Sequence, residues 1–186
     1  MIGEQVWMAE NLNCYVAGSK CYNNDSANCA TYGRLYDWAT AMGIDEKYNR
    51  ELWNGSDAKH QGICPSGWHI PSNEDWNILI TTAINATGGS SFTIGTKLKA
   101  ENGWNLHDDI PFGTDDFGFS ALPGGDGGPD GKFANVGVAG SWWSTIEYDS
   151  NLAYFWNLIY FRESGSLGYY DGYGKRRLLS VRCLKD

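Results

Sequence analysis

Positive charge is the scarcest resource in this chain. Of 186 residues only 14 are Lys or Arg against 22 Asp or Glu, leaving a net charge of −8. Gripping a nucleic-acid backbone requires the opposite balance, so no nucleic-acid partner is expected. The one basic run, Lys175-Arg176-Arg177, reads as a solvated turn or part of a recognition surface. Long apolar runs are also missing. None approaches the eighteen or more residues of a membrane span, so this segment is not expected to insert into a membrane. Met1 leads straight into Ile2-Gly3-Glu4 without the stretches of a secretory signal. Any export signal is therefore expected outside this segment.

Catalytic signatures are equally thin. There is no Gly-x-Ser-x-Gly elbow, and the three histidines sit in dissimilar contexts. His69, between Trp68 and Ile70, reads as a packed structural histidine, and His60 and His107 as surface-loop residues. Gly124-Gly125-Asp126-Gly127-Gly128 is glycine-rich but lacks the Lys-Ser/Thr ending of a phosphate loop. Asp108, Asp109, Asp115, Asp116, Asp126 and Asp130 gather in the middle of the chain, where oxygen-rich loops can hold calcium. However, Asp126-x-x-x-Asp130-Gly131 copies only a fragment of a calcium loop, and turn-forming Asp-Gly steps explain it more simply. The expectation is no cofactor, no resident metal and no enzyme activity.

Glycine and aromatic residues are abundant instead. The 24 Gly call for many turns and irregular loops, while nine Trp and eleven Tyr exceed what a core alone would use. A chain of this length fits one domain, residues 1–186. Cysteines stand at 14, 21, 29, 64 and 183, none in a Cys-x-x-Cys pair. Cys21 and Cys29 flank an Asn/Asp-rich loop, as a small disulfide-closed loop would. A Cys64–Cys183 bridge would close most of the domain, worth roughly 4–5 kcal/mol in the chain-entropy model. Cys14 is then left over. Five reduced thiols in a cytosolic protein is the competing reading.

Local patterns predict two helices followed by a largely β, loop-rich half. Gln5-Val6-Trp7-Met8 reads as a short strand. Thr31 can cap a helix over Tyr32 to Gly43, with Leu35, Trp38, Ala39 and Met42 on one face. Residues 44–63 read as a polar loop. A second helix starts after Pro71-Ser72, where Ser72 and Asp75 approximate a capping box. Trp76, Leu79, Ile80, Ala83 and Ile84 form its apolar face, and Gly88-Gly89 stops it. Helix signals vanish from about residue 92, and short strand-like pieces follow, including Phe117 to Leu122 and parts of 141–183. Helices first and strands later imply an α+β fold.

The segment from Gly140 to Asp186 carries the strongest functional signal. Its frame, Gly140-Ser141-Trp142-Trp143-Ser144 and Ser180-Val181-Arg182-Cys183, encloses a run dense in Tyr, Phe, Arg and Gly. Rings and guanidinium groups dominate recognition hot spots because they bury much area at low entropic cost. Trp156 reads as core. The proposed contacts are Phe155, Ile159, Phe161, Arg162, Tyr169, Tyr170, Asp171, Tyr173, Arg176 and Arg177.

Several blocks resemble the Fibrobacter succinogenes major paralogous domain. They are Trp7-Met8-Ala9-Glu10-Asn11-Leu12, Cys21-Tyr22 to Cys29, Tyr32-Gly33-Arg34-Leu35-Tyr36-Asp37-Trp38 and Cys64-Pro65-Ser66-Gly67-Trp68-His69-Ile70-Pro71-Ser72. Gly118-Phe119-Ser120-Ala121-Leu122-Pro123-Gly124-Gly125 and Ser180-Val181-Arg182-Cys183 complete the set. The resemblance implies an exported bacterial surface domain of poorly defined role.

The Gly-Trp-His-Ile-Pro-Ser block before a Trp-bearing helix is also similar to the formylglycine-generating enzyme group and, through it, to the C-type lectin fold. That fold has two helices, a small twisted antiparallel sheet and long irregular loops, and the Cys64–Cys183 pairing would match its link between an early helix and the last strand. The enzyme's reactive cysteine pair is missing, as are the lectins' Glu-Pro-Asn or Gln-Pro-Asp triplet and Trp-Asn-Asp, which removes support for both chemistries.

Variable proteins diversified by bacterial retroelements share this fold, with hypervariable positions near the C-terminus. Adenine-directed mutagenesis of Asn codons yields mainly Tyr, Phe, Ser, Gly, Asp, Arg, Leu and Ile, types in which 161–177 is rich here. The resulting expectation is an extracellular or cell-surface ligand-recognition domain that binds a protein or a glycan. The alternatives are a fixed carbohydrate-binding adhesion module, a diverged enzyme of the formylglycine-generating type, and a purely structural module.

Overall fold

The N- and C-terminal segments of the chain run side by side. The computed structural model describes residues 1–55, 59–88, 92–107, 113–167 and 173–186, with backbone alone for 165–167 and 173. Trp7 bridges Leu184, the Met8 N–H donates to the Cys183 carbonyl, and the Leu12 N–H donates to that of Val181. On its other side the C-terminal segment meets the central hairpin, where the Trp143 N–H donates to the Ser180 carbonyl.

In chain order the elements are α1 (Ser26–Tyr32), α2 (Trp38–Met42), β1 (Trp68–His69), α3 (Asn73–Thr87), α4 (Ile94–Leu98), β2 (Gly124–Gly127), β3 (Phe133–Val136), β4 (Ala139–Glu147), β5 (Leu152–Ile159), β6 (Gly165–Leu167), β7 (Tyr173–Gly174) and β8 (Leu184–Lys185). Short 3-10 turns lie at Tyr22–Asn24 and Glu46–Asn49. Helices first and small antiparallel sheets after make this an α+β fold. The largest sheet joins β4 to β5, and both β6 and β7 pair with β5. β2 pairs with β3, and β1 with β8.

Both flanks of the β4–β5 hairpin are covered, and this organises the core. Trp142, Trp156 and Leu158 pack with Trp7, Trp76, Leu79 and Phe119. Trp143, Ala153 and Phe155 pack with Tyr36, Trp38, Ile70, Leu179 and Val181. Alternation along each strand sends neighbours to opposite faces, so the cross-strand pair Trp142–Trp156 serves one cluster and Trp143–Phe155 the other. Within the first, Trp76 stacks on Trp156 at 4.9 Å and 12°. The second contains the disulfide Cys64–Cys183, and a further disulfide, Cys21–Cys29, closes the small N-terminal loop. Cys14 is exposed and unbridged.

The helix over Asn73–Thr87 starts as its sequence predicts. Ser72 Oγ accepts from the Asp75 N–H and Asp75 returns a bond to the Ser72 N–H, a complete capping box. Gly88 ends it in the left-handed conformation.

The predicted helix from Tyr32 to Gly43 is instead two short ones. Gly33 has φ +76°, and a Cβ there would lie 2.8 Å from the Asn11 side chain, so the chain must leave the helix. Leu35 and Tyr36 then bridge Lys20 and Leu179 in extended conformation. Asp25 caps α1 in place of Thr31, and Asp37 caps α2.

Phe117 to Leu122 forms no strand: only Ala121 makes a bridge, to Lys99. Asp115 accepts from both the N–H and the hydroxyl of Ser120 at 2.6 Å, which folds the segment into a turn and sends Phe119 into the core. Gln5–Met8 likewise makes isolated bridges rather than a strand. The five-residue α4, unexpected from sequence, has no side-chain cap and sits where β-branched and glycine residues hide the helical signal.

Candidate functional site

Buried cations fix the backbone that presents the C-terminal segment. At the turn between β4 and β5, Lys175 is fully buried and its ammonium lies 2.5 Å from Glu147. It also donates to the carbonyls of Glu51 (3.1 Å) and Ser150 (3.4 Å) and rests 4.7 Å above the Trp38 ring. Glu147 in turn accepts from the N–H groups of Trp53 and Asn54. Burial works against the Glu147 charge, but Lys175 and those two N–H groups outweigh it and hold its pKa below the ordinary carboxylate value. The sequence reading of 175–177 as a solvated turn therefore fails at Lys175.

At the far end of β5, Lys99 is 1% exposed and donates to the carbonyls of Ile159 (2.7 Å), Tyr160 (3.4 Å) and Arg162 (2.6 Å). Its ammonium lies 5.0 Å from the Trp104 ring. Burial pulls its pKa down to about 8, against an opposing attraction from Glu163.

A third cation, Arg182, is fully buried 4.4 Å above the Phe119 ring. It donates twice to Asn11 Oδ1 and once to the Phe119 carbonyl, and the same Asn11 oxygen accepts from Trp142 Nε1 at 2.8 Å. Neutral acceptors and an aromatic face thus hold this guanidinium in place.

The proposed contacts fall into separate groups. Phe155 belongs to the second core cluster at 7% exposure, so it packs inward and offers nothing to a ligand. Its assignment as a contact is corrected by the two-sided cover of the hairpin. Ile159, half-buried, leads to exposed Phe161 and Arg162 beyond the end of β5. The Phe161 ring lies 5.2 Å from that of Tyr160 and carries the Arg162 guanidinium at 5.6 Å. Tyr173 pairs with Ala153 at the opposite end of the strand, where exposed Arg176 follows. Roughly 23 Å of extended chain separates the two ends. Arg177 is half-buried and pairs with Asp126. Tyr169, Tyr170 and Asp171 lie outside the described residues.

Asp126, central to the calcium-loop fragment, is committed elsewhere. One carboxylate oxygen pairs with Arg177 and the other accepts from Asn135 at 2.6 Å. Among the described residues no group of His, Cys, Asp and Glu is placed to hold a metal ion; Asp108 and Asp109 lie outside them. His69 is buried, 2.8 Å from Asp186 and 3.7 Å from Asp75. Burial disfavours its imidazolium, but the two carboxylates prevail and raise its pKa. Its role is structural: it ties β1 to α3 and to the C-terminal residue. His60 is half-buried rather than a surface-loop residue. Its Nε2 lies 2.7 Å from the Met42 carbonyl, and its ring lies 4.8 Å from that of Trp53. His107 is exposed.

Arg176 stands between two clefts. One, of about 390 Å³, is lined by Asp45, Glu46, Lys47, Asn49 and Arg50 and is mixed in charge. The other, of about 280 Å³, draws on the N-terminal loop and the β2–β3 hairpin and includes Lys20, Asn24, Phe133 and Leu178. Reasoning from sequence missed Lys20, Asn24 and Phe133, because residues from remote loops carry no shared local pattern.

The chain matches the profile of the Fibrobacter succinogenes major domain across residues 1–185. It belongs to that family. No curated protein and no solved structure matches it. The blocks that carry the family resemblance map onto the framework of this member: Asn11 and Arg182 share one hydrogen-bond node, Cys64 and Cys183 the long disulfide, Ser72 the helix cap, and Trp38 and Phe119 the two cores. They define how the domain is built and leave the exposed residues Phe161, Arg162 and Arg176 outside the motif set.

Proposed function

We propose that this family member is a non-enzymatic ligand-recognition domain, a single C-type lectin-like unit over 1–186, exported and displayed at the cell surface. The observation that carries this reading is the contrast along the C-terminal segment. Trp156, Leu158 and Lys175 are fully buried and fix the backbone, while Phe161, Arg162 and Arg176 project outward from the anchored ends. Rigid backbone beneath exposed rings and guanidinium groups suits recognition, because little entropy is lost on binding. Two disulfides fit an oxidising compartment, and no described helix is long and apolar enough to cross a membrane.

On this reading the contacts are Ile159, Phe161, Arg162, Tyr169, Tyr170, Asp171, Tyr173, Arg176 and the half-buried Arg177, and the ligand is a surface protein or glycan. Diversification by a retroelement would supply many versions of this face on one scaffold. Sequencing the 3′ end of the gene across a population of source cells tests that directly. Substitutions confined to exposed positions between Ala153 and Leu178, with the codons for Trp156, Leu158 and Lys175 unchanged, would support a diversified receptor. Uniform sequence there would reject diversification and leave a fixed adhesion module.

A further inference from the structure

We propose that the cleft between the N-terminal loop and the β2–β3 hairpin binds a carboxylate-bearing sugar, a uronic-acid unit of an acidic glycan. This extends the recognition reading by naming a ligand class, and it shares only Arg176 with the contact face.

Charge is the first argument. The chain carries a net charge of −8 and on average repels anions, yet the cleft presents Lys20 and Arg176 and, among the described residues, no carboxylate in its lining. Two cations in a concave site favour an anionic group. Arg176 can grip a carboxylate with two parallel N–H bonds. Both side chains are exposed, and among the described residues neither is engaged in an ion pair.

Shape is the second argument. Phe133, Pro129 and Leu178 give the cleft an apolar surface, and the Tyr22 ring at 5.5 Å supports Phe133. Asn24 adds an amide able both to donate and to accept. About 280 Å³ sits at the lower end of small-molecule sites, enough for a ring-sized unit. A pyranose uronate matches all of these demands, with a flat C–H face for the ring, hydroxyls for the amide and a carboxylate for the cations. An acidic peptide side chain would satisfy the cations and leave the apolar surface uncovered.

Titration calorimetry of the whole chain with trigalacturonate tests the assignment, using its methyl ester and inorganic phosphate as comparators. We expect saturable binding of trigalacturonate, at least tenfold weaker binding of the ester, and phosphate weaker still. K20A and R176A should each weaken the acid by about tenfold, and F133L by several-fold, with unfolding transitions unchanged. F161A/R162A, at the other end of β5, should leave this binding intact. Equal affinity for acid and ester, phosphate binding as tight as the sugar, indifference to K20A, or no heat up to about 10 mM would each overturn the proposal. Because K20A and F133L lie off the contact face, their failure leaves the face untouched. Loss of trigalacturonate binding in F161A/R162A would instead move the site away from the cleft.

Discussion

The two ends of the β4–β5 hairpin solve one problem in different ways. Each must bury backbone carbonyls where the strand stops, and each uses a lysine resting on a tryptophan. At the Lys175 end a carboxylate completes the arrangement, whereas at the Lys99 end carbonyl oxygens of the strand terminus do the work. A direct ion pair thus sits at the Lys175 end, next to the cluster that contains the long disulfide, and at the other a cation held by carbonyls with only a more distant attraction from Glu163. The difference teaches which end tolerates change. A buried pair fails badly when half of it is removed, while a lone buried ammonium already carries a desolvation cost that the fold offsets elsewhere.

The largest effect is therefore expected at Glu147. E147A leaves the Lys175 ammonium buried without its counter-charge and should cost about 3–5 kcal/mol in urea unfolding. Replacing both partners, as in E147L/K175M, should recover much of that loss. A double variant no more stable than E147A would show that the carbonyls of Glu51 and Ser150, not the ion pair, hold this end together.

At the other end, K99M removes the ammonium donor from the Ile159 and Arg162 carbonyls, leaving the former its bond from the Arg162 N–H, and should cost about 1–3 kcal/mol at neutral pH. The pH dependence separates the two ends more sharply. The folded-state pKa of Lys99 is depressed to about 8 from 10.5. Between those values the unfolded chain binds more protons than the folded one, so unfolding free energy rises with pH. The wild type should gain roughly 3 kcal/mol relative to K99M across that window. Parallel stability curves for the two proteins would show that Lys99 keeps its proton inside the fold.

His69 provides the smaller, opposite slope. Asp75 and Asp186 raise its pKa against the effect of burial, so its contribution is full below the unfolded value and is lost as pH rises through the folded value. H69Q should remove the fall in stability between the unfolded and folded values. Solvent screening of the half-exposed Asp186 weakens its share of the effect. A slope surviving in H69Q would move the titration to another group.

Which of these features were legible in the sequence follows from the range over which each is written. The capping box at Ser72–Asp75 lies within one helical turn, the Cys21–Cys29 pair closes one short loop, and the Cys64–Cys183 pair matches the fold the chain resembles, so all were readable. Family blocks were readable as blocks, but their role as framework emerged only when Asn11 and Arg182 met. Phe155 was misread because a strand covered on both faces buries adjacent residues, and the inside-outside rule then separates nothing. Lys99 and Lys175 were hidden because lysine is almost never fully buried. Apart from Glu147, their acceptors are carbonyls, invisible in side-chain identity, and lie as far as 124 residues away. The Tyr32–Gly43 helix failed at Gly33, where packing against Asn11 overrides a good helical pattern.

The smallest stability effect is expected where the recognition reading places most of the function. Phe161 and Arg162 are exposed, and their ring and guanidinium meet mainly each other and Tyr160. F161A/R162A should therefore change stability by no more than about 0.5 kcal/mol. The carbonyl of Arg162 that Lys99 anchors is main chain and survives the substitution. Near-neutral cost at 161 and 162, beside a large cost at Glu147, is the pattern a display surface on a rigid frame requires. A loss above about 2 kcal/mol would reverse that inference. Phe161 would then be packing the Lys99 end, and the contact face would contract to the region around Arg176.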